Sequence, residues 1–248
     1  MLRINILGCG SSLGVPVIGC DCQVCCDDFK YNKRSRCSIT IAKDNKIVLI
    51  DAGPDIRRQL LKAKVKQIEA VILTHAHADH INGIDDLRVF AQDAPINVYT
   101  DRVTADIITN NFGYLITSNI IRLNVCEFYQ IIKLLGVDFQ LLEQNHGNIN
   151  SLGVKVGKFL YAIDVAYFPS KTLEILKETE YWIVDCVGYS SNNKHSGLDR
   201  VLDWTQGFNL KQVYLTNMSH TLDYNALLSI LPYNVKPAYD NLELYLPA

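Results

Sequence analysis

The amino-acid sequence lacks both a block of basic residues and a long hydrophobic run. Its 24 Lys and Arg residues are nearly balanced by 26 Asp and Glu residues, which gives a net charge of −2 at pH 7. Neither a nucleic-acid-binding tail nor a basic membrane-surface helix is therefore indicated. No apolar segment approaches the roughly 18 residues of a membrane-spanning helix. The apolar part of the opening MLRINILGCGSS is too short for a signal peptide, so we expect a cytoplasmic protein.

Internal repeats, low-complexity tracts and flexible linkers are also absent from the sequence, which indicates one domain over residues 1–248. Hydrophobic residues make up 48% and charged residues 20%, as in a globular protein with a substantial core. Short strand-like runs recur, with helical segments between several of them, and this order favours two sheets covered by outer helices. Helices are predicted in PDIRRQLLKA with Pro54 in the first turn, SKTLEILKE with Ser170 as N-cap, SGLDRVLDWTQGF and YNALLSIL.

The eight cysteines are not distributed like a disulfide framework. Four of them lie within seven residues, in the segment GCDCQVCC, and a reducing compartment disfavours disulfides. This cluster can be a metal clip or, at Cys22 and Cys25, a redox pair, although the strand–helix context of a thioredoxin-type motif is missing. The other four cysteines are predicted to be small residues of the core: Cys9, Cys37, Cys126 and Cys186.

The segment AVILTHAHADHINGID carries the strongest indication of chemistry. A strand-like run ends in His75, His77, Asp79 and His80, four potential ligands within six positions of a chain with six histidines. A strand end followed by a turn can direct alternate side chains into one cleft. Imidazole nitrogens and carboxylate oxygens suit zinc, manganese or iron. The segment therefore predicts a metal site.

The motif THAHADH resembles the T-H-x-H-x-D-H signature of the metallo-β-lactamase superfamily. The resemblance implies an α/β (α+β) fold, a four-layered αββα sandwich, and the family's other motifs follow in order along the chain. In VLIDAGPD, Asp51 would support the metal loop without binding metal. The resemblance further implies a first metal on His75, His77 and His146, a second on Asp79, His80 and His220, and Asp164 as the ligand that bridges both.

The segment LGCGSSLGVPVIGCDCQVC resembles the N-terminal region of the PhnP-like phosphodiesterases, a group that includes phosphoribosyl 1,2-cyclic phosphate phosphodiesterases. This resemblance implies a zinc-binding loop at about residues 8–28, with a structural Zn²⁺ held by Cys20, Cys22 and Cys25. The family supplies the fourth ligand from a histidine just beyond the last catalytic histidine, but no histidine follows His220 here. We expect Asp223 to take that place, because a carboxylate is an acceptable zinc ligand. The adjacent Cys26 is the alternative.

The function implied by the resemblance is hydrolysis of phosphodiesters, cyclic ones above all, by a hydroxide shared between two Zn²⁺ or Mn²⁺ ions. His195 in NKHSGLDR resembles the family's histidine that acts as a general acid or binds phosphate. Asp164 and His195 are thus the predicted catalytic residues. The expected partner is a small phosphodiester. A membrane is not expected, nucleic acid is disfavoured, and a homodimer is the base-rate expectation.

Three alternatives remain open from the sequence. A tRNA 3′-processing endonuclease would share the metal motif, but no basic, Gly-rich insertion for gripping tRNA is evident. A thioester or lactone hydrolase of the same fold would share the ligands, because fold alone does not decide function. A zinc-stabilised binding protein without turnover belongs to a different class, and the complete set of metal-ligand types weighs against it.

Overall fold

The computed structural model describes residues 1–247, which form two seven-stranded sheets with helices around them. The strands, in chain order, are β1 Leu2–Gly8, β2 Ser38–Lys43, β3 Lys46–Ile50, β4 Ala70–Ile72, β5 Ile96–Thr100, β6 Ile121–Val125, β7 Ile131–Leu134, β8 Val137–His146, β9 Ile149–Val156, β10 Phe159–Ala162, β11 Tyr181–Asp185, β12 Gln212–Thr216, β13 Val235–Pro237 and β14 Leu242–Leu246. The helices are α1 Gln23–Cys26, α2 Ile56–Lys62, α3 Ala78–Ile81, α4 Arg102–Thr117, α5 Ser170–Leu176, α6 Leu198–Gly207 and α7 Tyr224–Ile230, with 3-10 helices at Lys30–Asn32 and Ile84–Phe90.

Both sheets are mixed, and each has a parallel half that follows an antiparallel one. The first sheet has the order β14-β1-β2-β3-β4-β5-β6, and its strands run parallel from β3 to β6. The second has the order β13-β12-β11-β10-β9-β8-β7 and is parallel from β10 to β13. Parallel neighbours end at the same edge of a sheet, so the carboxyl ends of several strands meet there.

The core is divided between the interface of the two sheets and the outer faces that helices cover. In β3, Val48 and Ile50 join the cluster between the sheets, whereas Leu49 packs with Ile56 of α2 in the outer cluster. Side chains that alternate along a strand thus bury both faces of the first sheet. On the second sheet, Trp204 of α6 reaches within 6.4 Å of Trp182 of β11, measured between ring centroids. The predicted four-layered αββα sandwich is confirmed.

Several local predictions are confirmed, and two are corrected. Helices form in all four segments predicted to be helical, but Pro54 lies two residues before the first residue of α2 and not in its first turn. Ser170, however, is the first residue of α5 rather than its N-cap, a position taken by Pro169. The 16-residue helix α4 was not evident from the sequence; its N-cap is Asp101, which accepts a hydrogen bond from the Thr104 backbone N–H. The four scattered cysteines are buried, as predicted: Cys9, Cys37, Cys126 and Cys186.

Within residues 1–247, no helix combines the length and the apolar composition needed to cross a lipid bilayer.

Candidate metal centre

The candidate site lies where strands of both sheets end. Asp51 follows β3, His75 follows β4, and His146 is the last residue of β8. Asp164 lies two residues beyond β10, and Asn217 directly follows β12. The sheets are joined here by a hydrogen bond in which the Leu152 backbone N–H donates to the Thr74 carbonyl oxygen. The short strands and this contact bring residues distant in sequence to one edge of the sandwich.

The first group of ligand atoms contains three imidazoles and one carboxylate. His75 Nε2 lies 2.9 Å from His77 Nδ1 and 3.0 Å from Asp164 Oδ2. His146 Nε2 lies 3.2 Å from the same His77 nitrogen. These atoms are within 4.8 Å of one another, which is close enough for all of them to bind a single ion. His77 is exposed while the other three are buried, so the group opens to solvent on one side.

A second group adjoins the first through the same carboxylate oxygen. His80 Nε2 lies 3.2 Å from Asp79 Oδ2 and 3.0 Å from Asp164 Oδ2. Asp164 Oδ2 therefore touches both groups, as a ligand that bridges two metals must. Nitrogen and carboxylate donors in this arrangement fit divalent transition metals such as zinc or manganese. Metal binding by these residues stays a prediction, but their geometry is the one it requires.

Outer hydrogen bonds orient the ring nitrogens. Asp51 accepts from the Thr74 backbone N–H (2.8 Å), from the Thr74 hydroxyl (3.0 Å) and from His80 Nδ1 (2.7 Å). His146 Nδ1 donates to the Lys194 carbonyl oxygen at 2.7 Å. In both rings Nε2 is left facing the ligand group, which is the usual way that proteins orient a metal-binding histidine.

The charges of the site are strongly coupled. Burial lowers the pKa of His80, but the carboxylates of Asp51 and Asp164 outweigh it and hold this pKa well above its usual value. Burial lowers the pKa of His146 to about 4 and also lowers that of His77, which keeps both rings neutral and able to bind metal. A metal ion and a proton compete for His80 Nε2, so metal binding there weakens as the pH falls.

His195 lies beside the metal ligands and contacts two carboxylates. Its Nδ1 is 3.0 Å from Asp185 Oδ2 and 3.3 Å from Asp164 Oδ1. Burial lowers the pKa of His195, but hydrogen bonds to Asp164 and Asp185, together with their charges, raise it to about 10. Asp185, whose contact with His195 the sequence did not reveal, is fully buried at the end of β11. Among residues 1–247, no hydrogen-bond partner engages His195 Nε2, and this nitrogen is the one that can hold a transferable proton.

Asn217 is a second residue that sequence reasoning missed. It is 2% exposed, and its amide nitrogen donates to Asp164 Oδ1 at 2.6 Å and to Asp185 Oδ1 at 2.9 Å. Its backbone is left-handed, with φ +59°. Its position after a strand-like run is the feature that the sequence offered. Like Asp51 and Asp164, Asn217 closely follows a strand and adopts a left-handed conformation that Asn and Asp tolerate better than most residues.

His220 requires a correction, because it does not complete the second metal group. Its Nδ1 lies 3.2 Å from Cys20 Sγ and 3.4 Å from Cys22 Sγ. With Cys25 these residues form a four-ligand group, three thiols and one imidazole, which fits a closed tetrahedral zinc site. A hydrogen bond from the Cys25 backbone lowers the pKa of Cys22 to about 6, which favours the thiolate that zinc binds.

Asp223 also requires a correction, because both of its oxygens are used elsewhere. Oδ1 accepts from the Ala226 backbone N–H at 2.8 Å, which caps α7, and Oδ2 accepts from Asn32 Nδ2 at 2.7 Å. The buried Arg34 donates to the Ser219 and Leu222 carbonyl oxygens and thereby fixes the turn that carries His220. The cysteine group thus takes its fourth ligand from the histidine that the sequence assigned to the catalytic centre.

A family model described as the beta-lactamase superfamily domain matches residues 46–218. The chain belongs to this superfamily. A solved diphosphatase of the PhnP family is 31% identical, with a TM-score of 0.94, over 98% of this chain and 96% of the other. The resemblance to PhnP-like proteins is thereby confirmed. Zn²⁺-bound PqqB from Methylobacterium extorquens, at 17% identity and a TM-score of 0.85 over 98% of this chain and 100% of the other, shares the fold.

Among curated proteins, an octanoyltransferase of Porphyromonas gingivalis is 30% identical over 98% of this chain. The match covers 51% of that protein, so this superfamily member spans about half the length of its relative. The name of the relative therefore does not by itself assign an activity to this chain.

The first prediction concerns the cysteine group. We expect His220→Ala to lose one zinc ion per chain, because three thiolates alone leave a tetrahedral ion one ligand short. Asp223→Ala should keep that zinc and lose about 1 kcal/mol of unfolding free energy with its helix cap. Zinc content by elemental analysis and urea unfolding measure the two effects. Loss of zinc from Asp223→Ala, with retention in His220→Ala, would restore the sequence-based assignment.

The second prediction concerns Asp51. Asp51→Asn keeps the shape of the side chain but removes the charge that orients His80, so affinity for Mn²⁺ should fall about 10–100-fold. Calorimetric titration with Mn²⁺ measures this change. Asp85→Asn is the matched control, because Asp85 pairs with Arg88 at the surface. Unchanged affinity in Asp51→Asn would remove its supporting role.

Proposed function

We propose that this protein is a metal-dependent hydrolase of small phosphodiesters, with cyclic ones as the preferred class. The proposal rests on the different contacts of the two carboxylate oxygens of Asp164. One carboxylate oxygen, Oδ2, faces both groups of metal ligands, and the other, Oδ1, faces His195. Ligand groups that would hold two metals and a histidine that would donate a proton therefore surround one side chain, and the cleavage of a phosphorus–oxygen bond to an alkoxide needs both.

Metal ions, Asp164 and His195 have different roles in the proposed reaction. When bound, two divalent ions acidify water and neutralise phosphate oxygens. Asp164 holds the two ligand groups together. His195 holds a proton on Nε2, 24% of its side chain is exposed, and its ring lies 4.8 Å from that of His146, measured between centroids. This nitrogen can donate a proton to the leaving alkoxide of a substrate that enters from solvent.

A second candidate is hydrolysis of a diphosphate linkage. The solved relative that is 31% identical is a diphosphatase, and a P–O–P bridge presents the same kind of phosphorus centre. The two candidates differ in their need for an acid: a phosphate leaving group departs as a stable anion, whereas an alkoxide needs a proton. A panel of a cyclic phosphodiester, a linear alkyl diester and a diphosphate diester separates them. A thioester, a lactone and a 3′-extended tRNA in the same panel test the alternative chemistries.

The third prediction tests the proton donor. On an alkyl phosphodiester, His195→Ala should lower kcat by about 10²–10⁴-fold, the typical contribution of a general acid. The loss should be much smaller on an aryl diester with a nitrophenolate leaving group, which needs no proton. Metal content should stay constant. An equal loss on both substrates would contradict the role as acid, and loss of metal would make His195 a ligand.

The fourth prediction concerns pH. Burial raises the pKa of Asp185 to about 6, so above that pH its charge helps to keep His195 protonated. Asp185→Asn removes this charge and lowers the pKa of His195, so the acid form is lost at lower pH. The alkaline limb of the kcat profile should therefore move to lower pH. Asp203→Asn, at an exposed position of α6, serves as the control. An unmoved limb would show that another group titrates there.

A further inference from the structure

The two groups of metal ligands are unequal. Within residues 1–247 and apart from the shared Asp164, the first group has three imidazoles, whereas the second has His80 and Asp79. We propose that Asn217 keeps the second metal position one ligand short, so that the centre binds one ion tightly and a second one weakly and exchangeably. This inference deepens the proposed function, because it concerns the metal centre on which that function rests.

The amide of Asn217 contacts Asp164, the carboxylate that both groups of metal ligands share. Its nitrogen lies between Asp164 Oδ1 and Asp185 Oδ1, and an atom held by two carboxylate oxygens must be a hydrogen-bond donor. An amide nitrogen has no lone pair for a metal. The contact also engages Asp164 Oδ1, so that only Oδ2 faces both metal positions.

Other side chains around the second position are already engaged. Asp51 is bound to Thr74 and His80, and His220 lies in the cysteine group. His195 and Asp185 form a further potential ligand group with Asp164. The amide nitrogen of Asn217, however, reaches both carboxylates of that group, and Asp185 Oδ2 also accepts from the Val165 backbone N–H. Within residues 1–247 the second position therefore has three protein ligands.

The backbone at position 217 suits a direct test. Its φ of +59° lies in the left-handed region, where Asn, Asp and His are the residues most often accepted apart from glycine. The segment is held on both sides, since the Met218 backbone N–H donates to the Cys9 carbonyl oxygen and His220 lies among the cysteines. Asn217→His can therefore supply an imidazole from an unchanged backbone, whereas Asn217→Ala removes the amide and supplies nothing.

The experiment is a calorimetric titration with Mn²⁺ of protein that keeps zinc in the cysteine group, supported by native mass spectrometry. Thiolates prefer zinc, so Mn²⁺ reports on the catalytic centre. The parent protein should bind two ions whose affinities differ by at least about 10-fold. Loss of a residue that only hydrogen-bonds to a metal ligand already lowers metal affinity by about that factor, and loss of a ligand should lower it at least as much. Asn217→His should tighten the weaker site by at least about 10-fold, and Asn217→Ala should not tighten it.

Three results would overturn the proposal. The first is binding of two ions with equal affinity by the parent protein. The second is an Asn217→Ala variant whose weaker site is tightened as much as that of Asn217→His. Loss of the second ion in His195→Ala would show that His195 and Asp185 complete the position instead. All of these measurements are made without substrate, so failure to hydrolyse phosphodiesters would contradict the proposed function and leave the binding result intact.

Discussion

The buried carboxylate of Asp164 is the group on which both the metal ligands and the proton donor depend. An ionised carboxylate that is 2% exposed is unfavourable unless it is surrounded by donors or cations. The charge of His80 and hydrogen bonds from nearby imidazoles outweigh burial and hold the pKa of Asp164 well below its usual value. Its backbone is left-handed, with φ +51°, and the Ser151 hydroxyl donates to its carbonyl oxygen. The neighbouring strand thus helps to fix a conformation that would be costly in isolation.

The cysteine group and the metal centre are connected through the segment that follows β12. Asn217 contacts Asp164, and three residues later His220 lies among the cysteine sulfurs. Between them, Met218 exchanges backbone hydrogen bonds with the N-terminal loop, and Arg34 binds carbonyl oxygens of the turn. A zinc ion in the cysteine group would therefore hold one end of a short segment whose other end touches Asp164. The N-terminal loop is hydrogen-bonded to the backbone of this segment.

The fold and the ligand-rich segment could be predicted because their signals are local. THAHADH is contiguous, and strand-like runs such as AVILT and YWIVD have a clear composition. Helix α4 could not be predicted in this way, because RVTADIITNNFGYLIT is rich in β-branched residues and asparagine, which have low helix propensity. Packing of Ile108 and Leu115 against the first sheet stabilises it instead. The contacts of Asp185 and Asn217 were also not predictable, because they depend on how distant strands end beside one another.

The incorrect assignment of His220 to the second metal is explained by the number of histidines in the chain. Imidazoles at six ligand positions of the three metals and at the proton donor would require seven histidines, and the chain has six. The sequence interpretation put the shortfall at the cysteine group, where a carboxylate would substitute. The structure gives His220 to the cysteine group and leaves the second group with three ligand residues, of which Asp164 contacts Asn217. Three thiolates form a closed zinc site only with a fourth donor, whereas a position beside a buried carboxylate can be filled by an amide that donates a hydrogen bond. The missing histidine is therefore tolerated better beside Asp164, where an amide can donate a hydrogen bond to the carboxylate, than in the cysteine group, where zinc needs a fourth ligand.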